Sequence, residues 1–142
     1  MSTTASIPAS LQALLSQTPV THLLDQQIQA LDLAAGTIVV HYQATEQFLN
    51  PARQVQGGML SAMLDDVTAV LVTATLEPGT FCATLSLNTS FLSSAKAGPV
   101  IGKARFERQG KNICNVCGEL WQGDTLVASA TAVCMVRRPS ST

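Results

Sequence analysis

Two acids and a pair of glycines carry the most chemical information in this chain, because of how they are spaced. Asn50-Pro51 opens a stretch that reads NPARQVQGGMLSAMLDDVTAVLVTAT to Thr75, with Gly57-Gly58 near its start and Asp65-Asp66 further on. Glycines at a helix start leave backbone N–H groups open to close approach, and the first amides of a helix have no intrahelical acceptor. Such a terminus can bind an anion or a carbonyl oxygen that is gaining negative charge. A carboxylate about two turns further along the same helix can act as a base or a nucleophile. Each feature also has a plainer reading. The glycines suit a tight turn before a helix, and Asp65 suits a solvated acid or a partner for an arginine.

The elements around these residues follow from periodicity. At 100° per residue, Met59, Leu60, Met63, Leu64, Val67, Val70 and Leu71 share one broad arc, the expected buried face of a long helix. The opposite side carries Gly58, Ala62, Asp65, Ala69 and Thr73, a strip of small residues with one carboxylate; Asp66 lies at the margin. A solvated face would carry several Lys or Glu, so a strip of small side chains implies close approach by a second subunit or a ligand.

Residues 1–6 are small and polar and are expected to fray. Leu11, Leu14 and Leu15 predict a short amphipathic helix over about 8–17, opened near Pro8 and closed by Pro19. Gly36 turns a less distinct segment (Ile28, Leu31, Leu33) into the β-branched strand Thr37–Tyr42. Beyond the breaker Glu77-Pro78-Gly79, strand-like runs follow at Thr80–Ser93, Val100–Arg108, Ile113–Trp121 and Thr125–Val136. In the first of these, Phe81, Ala83, Leu85, Leu87 and Phe91 alternate with Thr84, Ser86, Asn88 and Ser90, which places Thr84 on the polar side. Short turns between consecutive strands imply an antiparallel meander. With one long helix available to cover one apolar sheet face, the expected architecture is α+β: a twisted antiparallel sheet of five to six strands wrapped around that helix. The whole chain, 1–142, reads as a single domain with its core over about 27–137.

Composition narrows the function. The chain is 46% hydrophobic and only 12% charged, so it has little charge with which to clothe a monomer, and self-association is expected. A net charge of −1 supplies no general field for nucleic acid or anionic membrane. No apolar run is expected to span a membrane, and the first residues lack the basic start and apolar core of a secretory signal. The four cysteines, Cys82, Cys114, Cys117 and Cys134, are therefore expected as reduced thiols in a cytoplasmic protein.

The combined pattern is more specific than its parts. Asn50, then Gln56-Gly57-Gly58, then Asp65 resembles the Asn…His-Gly-Gly…Asp signature of PaaI-type acyl-CoA thioesterases, members of the hotdog-fold 4-hydroxybenzoyl-CoA thioesterase superfamily. The resemblance extends through the later strands and turns, covering roughly residues 37–136 in order. It implies hydrolysis of an acyl-CoA thioester to free acid and CoA, without metal or cofactor, in a homodimer or a dimer of dimers. By the same resemblance Asp65 is the catalytic carboxylate, activating water or attacking the carbonyl itself. Gly57 supplies the backbone N–H that polarises the carbonyl, Asn50 helps orient the thioester or water, and the Thr84 hydroxyl helps hold the water. In such dimers Asp65 works opposite the partner's glycine. One position departs from the family: Gln56 stands where a histidine is usual, and it can donate a hydrogen bond but cannot carry charge near neutral pH. That departure motivates an alternative, a non-catalytic acyl-CoA-binding protein of the same fold.

Other candidates are weaker. Cys114-x-x-Cys117 lies in a strand pattern, where residues three apart point to opposite faces, and no second ligand pair follows, so these read as structural thiols. The histidines, His22 and His41, precede the helix, which argues against a hydratase-type Asp…His pair; the serines lack a G-x-S-x-G elbow. Arg108 and Lys111 are the expected contacts for the coenzyme A phosphates, with Arg53 a further option. Gly58 and the adaptable Met59 and Met63 are expected to line an apolar acyl or aryl pocket.

Overall fold

The computed structural model describes residues 7–139. The N-terminal stretch expected to fray lies outside them. Two short helices, α1 (Ala9–Ser16) and α2 (Pro19–Leu23), precede a hairpin of β1 (Gln27–Asp32) and β2 (Thr37–Ala44). After a 3-10 turn at Glu46–Phe48 come the long helix α3 (Gly57–Ala74) and four strands: β3 (Phe81–Phe91), β4 (Gly98–Gln109), β5 (Ile113–Gln122) and β6 (Thr125–Arg137). Pro19 does not merely close α1. It is the first residue of α2, where its fixed φ and missing N–H cost nothing. Gly36 adopts φ +71° in the β1–β2 turn, a conformation that glycine takes without a β-carbon clash.

All six strands form one antiparallel sheet in the order β1-β2-β4-β5-β6-β3. The sheet packs around α3, which meets β2 through β6, so the wrapped-helix, hotdog arrangement expected from the sequence is the architecture observed. The simple meander is not. Only β4-β5-β6 run as consecutive neighbours; β3 leaves β4 and pairs with β6 at the far edge, while β4 pairs with β2. Turn signals report that the chain turns, not which strand it next meets.

The core is the face of α3 anticipated from periodicity, with Leu60, Met63, Leu64, Val67, Val70 and Leu71 buried, joined by Thr68 and Val72. Met59 is half-buried. Two glycines let α3 and its neighbours approach the sheet. A β-carbon on Gly118 would lie 3.0 Å from the Thr68 methyl, and one on Gly102 only 2.8 Å from the Tyr42 ring. By composition α3 is apolar enough to span a membrane, with a mean hydropathy of 1.3 over 18 residues, contrary to the expectation that no run would be. Half of that window is buried, and its apolar face packs against the protein's own sheet.

Candidate active site

The N-terminus of α3 is set by a tight loop. Asn50 accepts hydrogen bonds at Oδ1 from the backbone N–H groups of Ala52 (2.9 Å) and Gln54 (3.1 Å), and Arg53 turns the chain at φ +62°. Val55 N–H donates to the Ala95 carbonyl and Gln56 N–H to the Phe48 carbonyl, each at 2.8 Å. Gln56 is therefore fixed as the N-cap by its backbone, while its exposed side chain makes no capping bond. Met59 and Leu60 N–H groups donate to the Gln56 carbonyl, whereas those of Gly57 and Gly58 find no acceptor among the described residues. The Phe91 ring at the end of β3 lies against Gly57, 3.2 Å from where a β-carbon would stand.

Asp65 projects from the strip of small residues and is exposed. Its Oδ1 accepts a 2.8 Å hydrogen bond from Thr84 Oγ1. Thr84 does not sit on the polar, outward side of β3 as alternation suggested. The register of β3 against β6 shifts between Thr84 and Ser86, and this bulge reverses which residues face α3. Cys82 and Thr84 point to the helix before the bulge and Leu87 after it, while Leu85 is left 55% exposed. The one ion pair among the described residues joins Arg53 and Glu46 at 3.9 Å, so Asp65 has no cationic partner. Within the described residues of one chain, no arginine pairs with this acid.

Asp66 points elsewhere. Its Oδ2 accepts from Tyr42 Oη at 2.6 Å and from Gln26 Nε2 in a short contact. Burial pushes its carboxyl pKa up, the two donors oppose that shift, and the neighbouring Asp65 charge adds to it. Burial, then the Asp66 charge, pushes the Tyr42 phenol well above its ordinary value.

Two of the cysteines, Cys114 and Cys134, belong to the core, while Cys82 and Cys117 are half-buried. Cys114 is buried and Cys117 half-buried on opposite faces of β5, and all four cysteines are free. Burial raises the Cys114 and Cys117 pKa values, and a hydrogen bond shared with Cys134, then burial, raises that of Cys82. Cys117 helps line a cavity of about 560 Å³ on the face of the sheet away from α3, with Lys103, Arg105 and Glu119; neither Asp65 nor Gly57 reaches it.

Within one chain the expected site residues divide into separate groups. Asn50, Gln56, Gly57, Gly58 and Met59 gather at the start of α3, and Asp65 with Thr84 lies eight residues further on, about 12 Å at 1.5 Å per residue. Arg108 and Lys111 lie elsewhere. The β4–β5 turn is level with Val136 and Phe81, the opposite end of β3 from Phe91, so these cations stand about 30 Å along the sheet from Gly57. Sequence reasoning missed Phe91 over Gly57 and the Tyr42–Asp66–Gln26 cluster, because neither follows from spacing within an element.

A sheet curled around a helix, with open amides at the helix start and a hydroxyl-bonded aspartate midway, describes a class of enzymes. The chain belongs to the thioesterase superfamily, whose sequence profile matches residues 55–129, so thioester hydrolysis is the general chemistry of its family. Among solved structures it is similar to the phenylacetic acid degradation-related protein of Ralstonia eutropha JMP134, with 56% identity, a TM-score of 0.84, and coverage of 89% of this chain and 98% of that one. The E. coli PaaI protein from the phenylacetic acid degradation operon shares the fold at 22% identity and TM-score 0.80, covering 96% of this chain and 99% of that one. A thioesterase of Haemophilus influenzae does so at 20% identity and TM-score 0.80, covering 96% and 93%. Among curated proteins none matches.

Proposed function

We propose that this protein hydrolyses an acyl-CoA thioester to the free acid and CoA, using a site completed by a second copy of the chain. The observation that carries the reading is Asp65: an exposed carboxylate without a cation, held by Thr84 on a helix whose first amides are open. Gly57 and Asp65 of one chain are about 12 Å apart, too far to act on one carbonyl. Two copies packed along the small-residue strip bring Gly57 of one helix opposite Asp65 of the other. The edge strand β3 supports such pairing, since it is eleven residues long with Phe81, Leu85 and Phe91 all more than half exposed. A homodimer, or a dimer of dimers, follows.

In this site the thioester oxygen accepts from Gly57 N–H, and Gly58 and Met59 border the acyl group. Thr84 orients Asp65 and the attacking water, while Gln56 and the Asn50 amide donate to the thioester from the helix start. As a base, Asp65 takes a proton from water while the water oxygen bonds to the carbonyl carbon; collapse breaks the C–S bond, and the CoA thiolate recovers the proton. As a nucleophile, Asp65 bonds to that carbon directly, CoA leaves, and water cleaves the resulting anhydride. Single turnover in ¹⁸O-water separates the routes, since only the anhydride route allows label to enter Asp65. Arg108 and Lys111 contact the CoA phosphates from the Asp65 side, a role that distance denies them beside their own chain's Gly57. Four unpaired cysteines support a reducing, cytoplasmic setting.

The test is thiol release from a panel of short-chain, medium-chain and aryl-CoA thioesters. Turnover is expected on some member and is expected to vanish in Asp65→Asn. The second reading, an acyl-CoA-binding protein without turnover, is favoured by the non-ionisable Gln56; saturable binding without thiol release would establish it. Gln56→His is expected to preserve or raise turnover.

A further inference from the structure

Asp66 is a half-buried acid that the proposed chemistry does not use, and its surroundings are built rather than incidental. Both of its donors come from distant chain. Tyr42 lies on β2 and Gln26 in the segment leading into β1, 24 and 40 residues away in sequence. Tyr42 has no exposed surface, and its ring is seated in the slot left by Gly102, where a β-carbon would lie 2.8 Å from the ring. No cation neutralises Asp66 among the described residues. A half-buried carboxylate held by neutral donors alone loses hydration without gaining a compensating charge, so its retention calls for a use.

Consecutive helical residues point about 100° apart, so the two acids leave α3 toward different flanks. Asp65 is held from β3 by Thr84, and Asp66 from β2 and the segment before β1 by Tyr42 and Gln26. We propose that Asp66, Tyr42 and Gln26 form a clamp that sets the rotation of α3 and thereby the aim of the Asp65 carboxylate. Asp66 is a positioning residue and touches no substrate. The lever is short: rotating α3 by about 10° carries a carboxylate on its rim by about 1 Å. A displacement of that size can lower turnover by up to about 100-fold.

The inference rests on Asp65 being the reactive carboxylate, so the experiment tests both statements separately. Steady-state kinetics on the best acyl-CoA of the panel are compared for wild type, D65N, D66L, D66N and Y42F, with circular dichroism confirming the fold. D66L and Y42F are expected to lower kcat by about 10-fold and about 3-fold with KM within twofold. D66N retains the acceptor oxygen and is expected to restore most of the turnover lost in D66L. If D66L fails to fold, Y42F decides alone, because it deletes one oxygen and leaves the ring packed. A dead D65N combined with full kcat in D66L and Y42F overturns the clamp and spares the proposed function. So does an equal loss in D66N and D66L, which would mean that the charge and not the hydrogen bonds matters. Turnover surviving in D65N overturns the Asp65 reading and the clamp with it.

Discussion

Adjacent aspartates with different neighbours show how position on a helix decides what an acid does. Asp65 lies open with one hydroxyl donor, and Asp66 is half-buried with two donors. Thr84→Val keeps the shape and removes the hydroxyl, so kcat is expected to fall about 10-fold with little change in folding stability, as read by thiol release and thermal melting. Asp66 makes a prediction about pH. Burial raises its folded-state pKa above the ordinary 3.8, so between those values the native state binds more protons than the unfolded one. Stability therefore falls as pH rises through that window, and the cost persists at all higher pH. D66N removes the charge and keeps the acceptor. Its Tm is expected to exceed that of wild type at neutral pH, and the gap to close as the pH is lowered toward 3.8. A gap that widens on acidification would contradict the assignment.

At the scale of elements, α3 was the most legible part of the chain. Its apolar arc, its small-residue strip and its start at the glycine pair were all expected, because 3.6-residue periodicity and turn residues are local signals. Gly57 is the first residue of α3, where proline is well tolerated, and Gln56 before it has φ −57° and ψ 135°, as a residue preceding proline requires. Gly57→Pro therefore removes one N–H while the helix start should persist, with the Phe91 ring yielding slightly. If that N–H stabilises the oxyanion, kcat is expected to fall by about 100-fold or more. Gly102→Ala acts on the other side: it forces Tyr42 out of its slot and is expected to cost about 1–3 kcal/mol in a denaturant titration. Strand β3 was the least legible element. Its alternation reads cleanly, yet one bulge inverts it, and nothing in FCATLSLNTSF marks the bulge. Its partner, β6, lies far along the chain, so the pairing is a non-local choice.

For the whole molecule, the shared site makes a prediction that neither single variant can. If Gly57 of one chain works with Asp65 of another, D65N and G57P homodimers are each inactive, but a mixed dimer contains one intact site. Random reassortment of equal amounts is expected to recover about a quarter of wild-type turnover, half the dimers each with one live site. No recovery after verified subunit exchange would place each site within one chain. Leu85→Lys, on the exposed face of the β3 edge, is expected to shift the protein toward monomer in sedimentation and to lose activity with it.

The sequence by itself determined the helix at the centre, its buried and open faces, a sheet of five to six strands, and the glycine–aspartate spacing on which the family resemblance rests. These are properties of neighbouring residues, readable wherever periodicity or a turn residue repeats. Only the tertiary structure decided that β3 joins β6, that Thr84 faces inward, that Asp66 reaches back to Tyr42 and Gln26, and that Arg108 and Lys111 stand far from Gly57. Each of those depends on contacts between segments tens of residues apart, where packing and register decide and local sequence carries no signal.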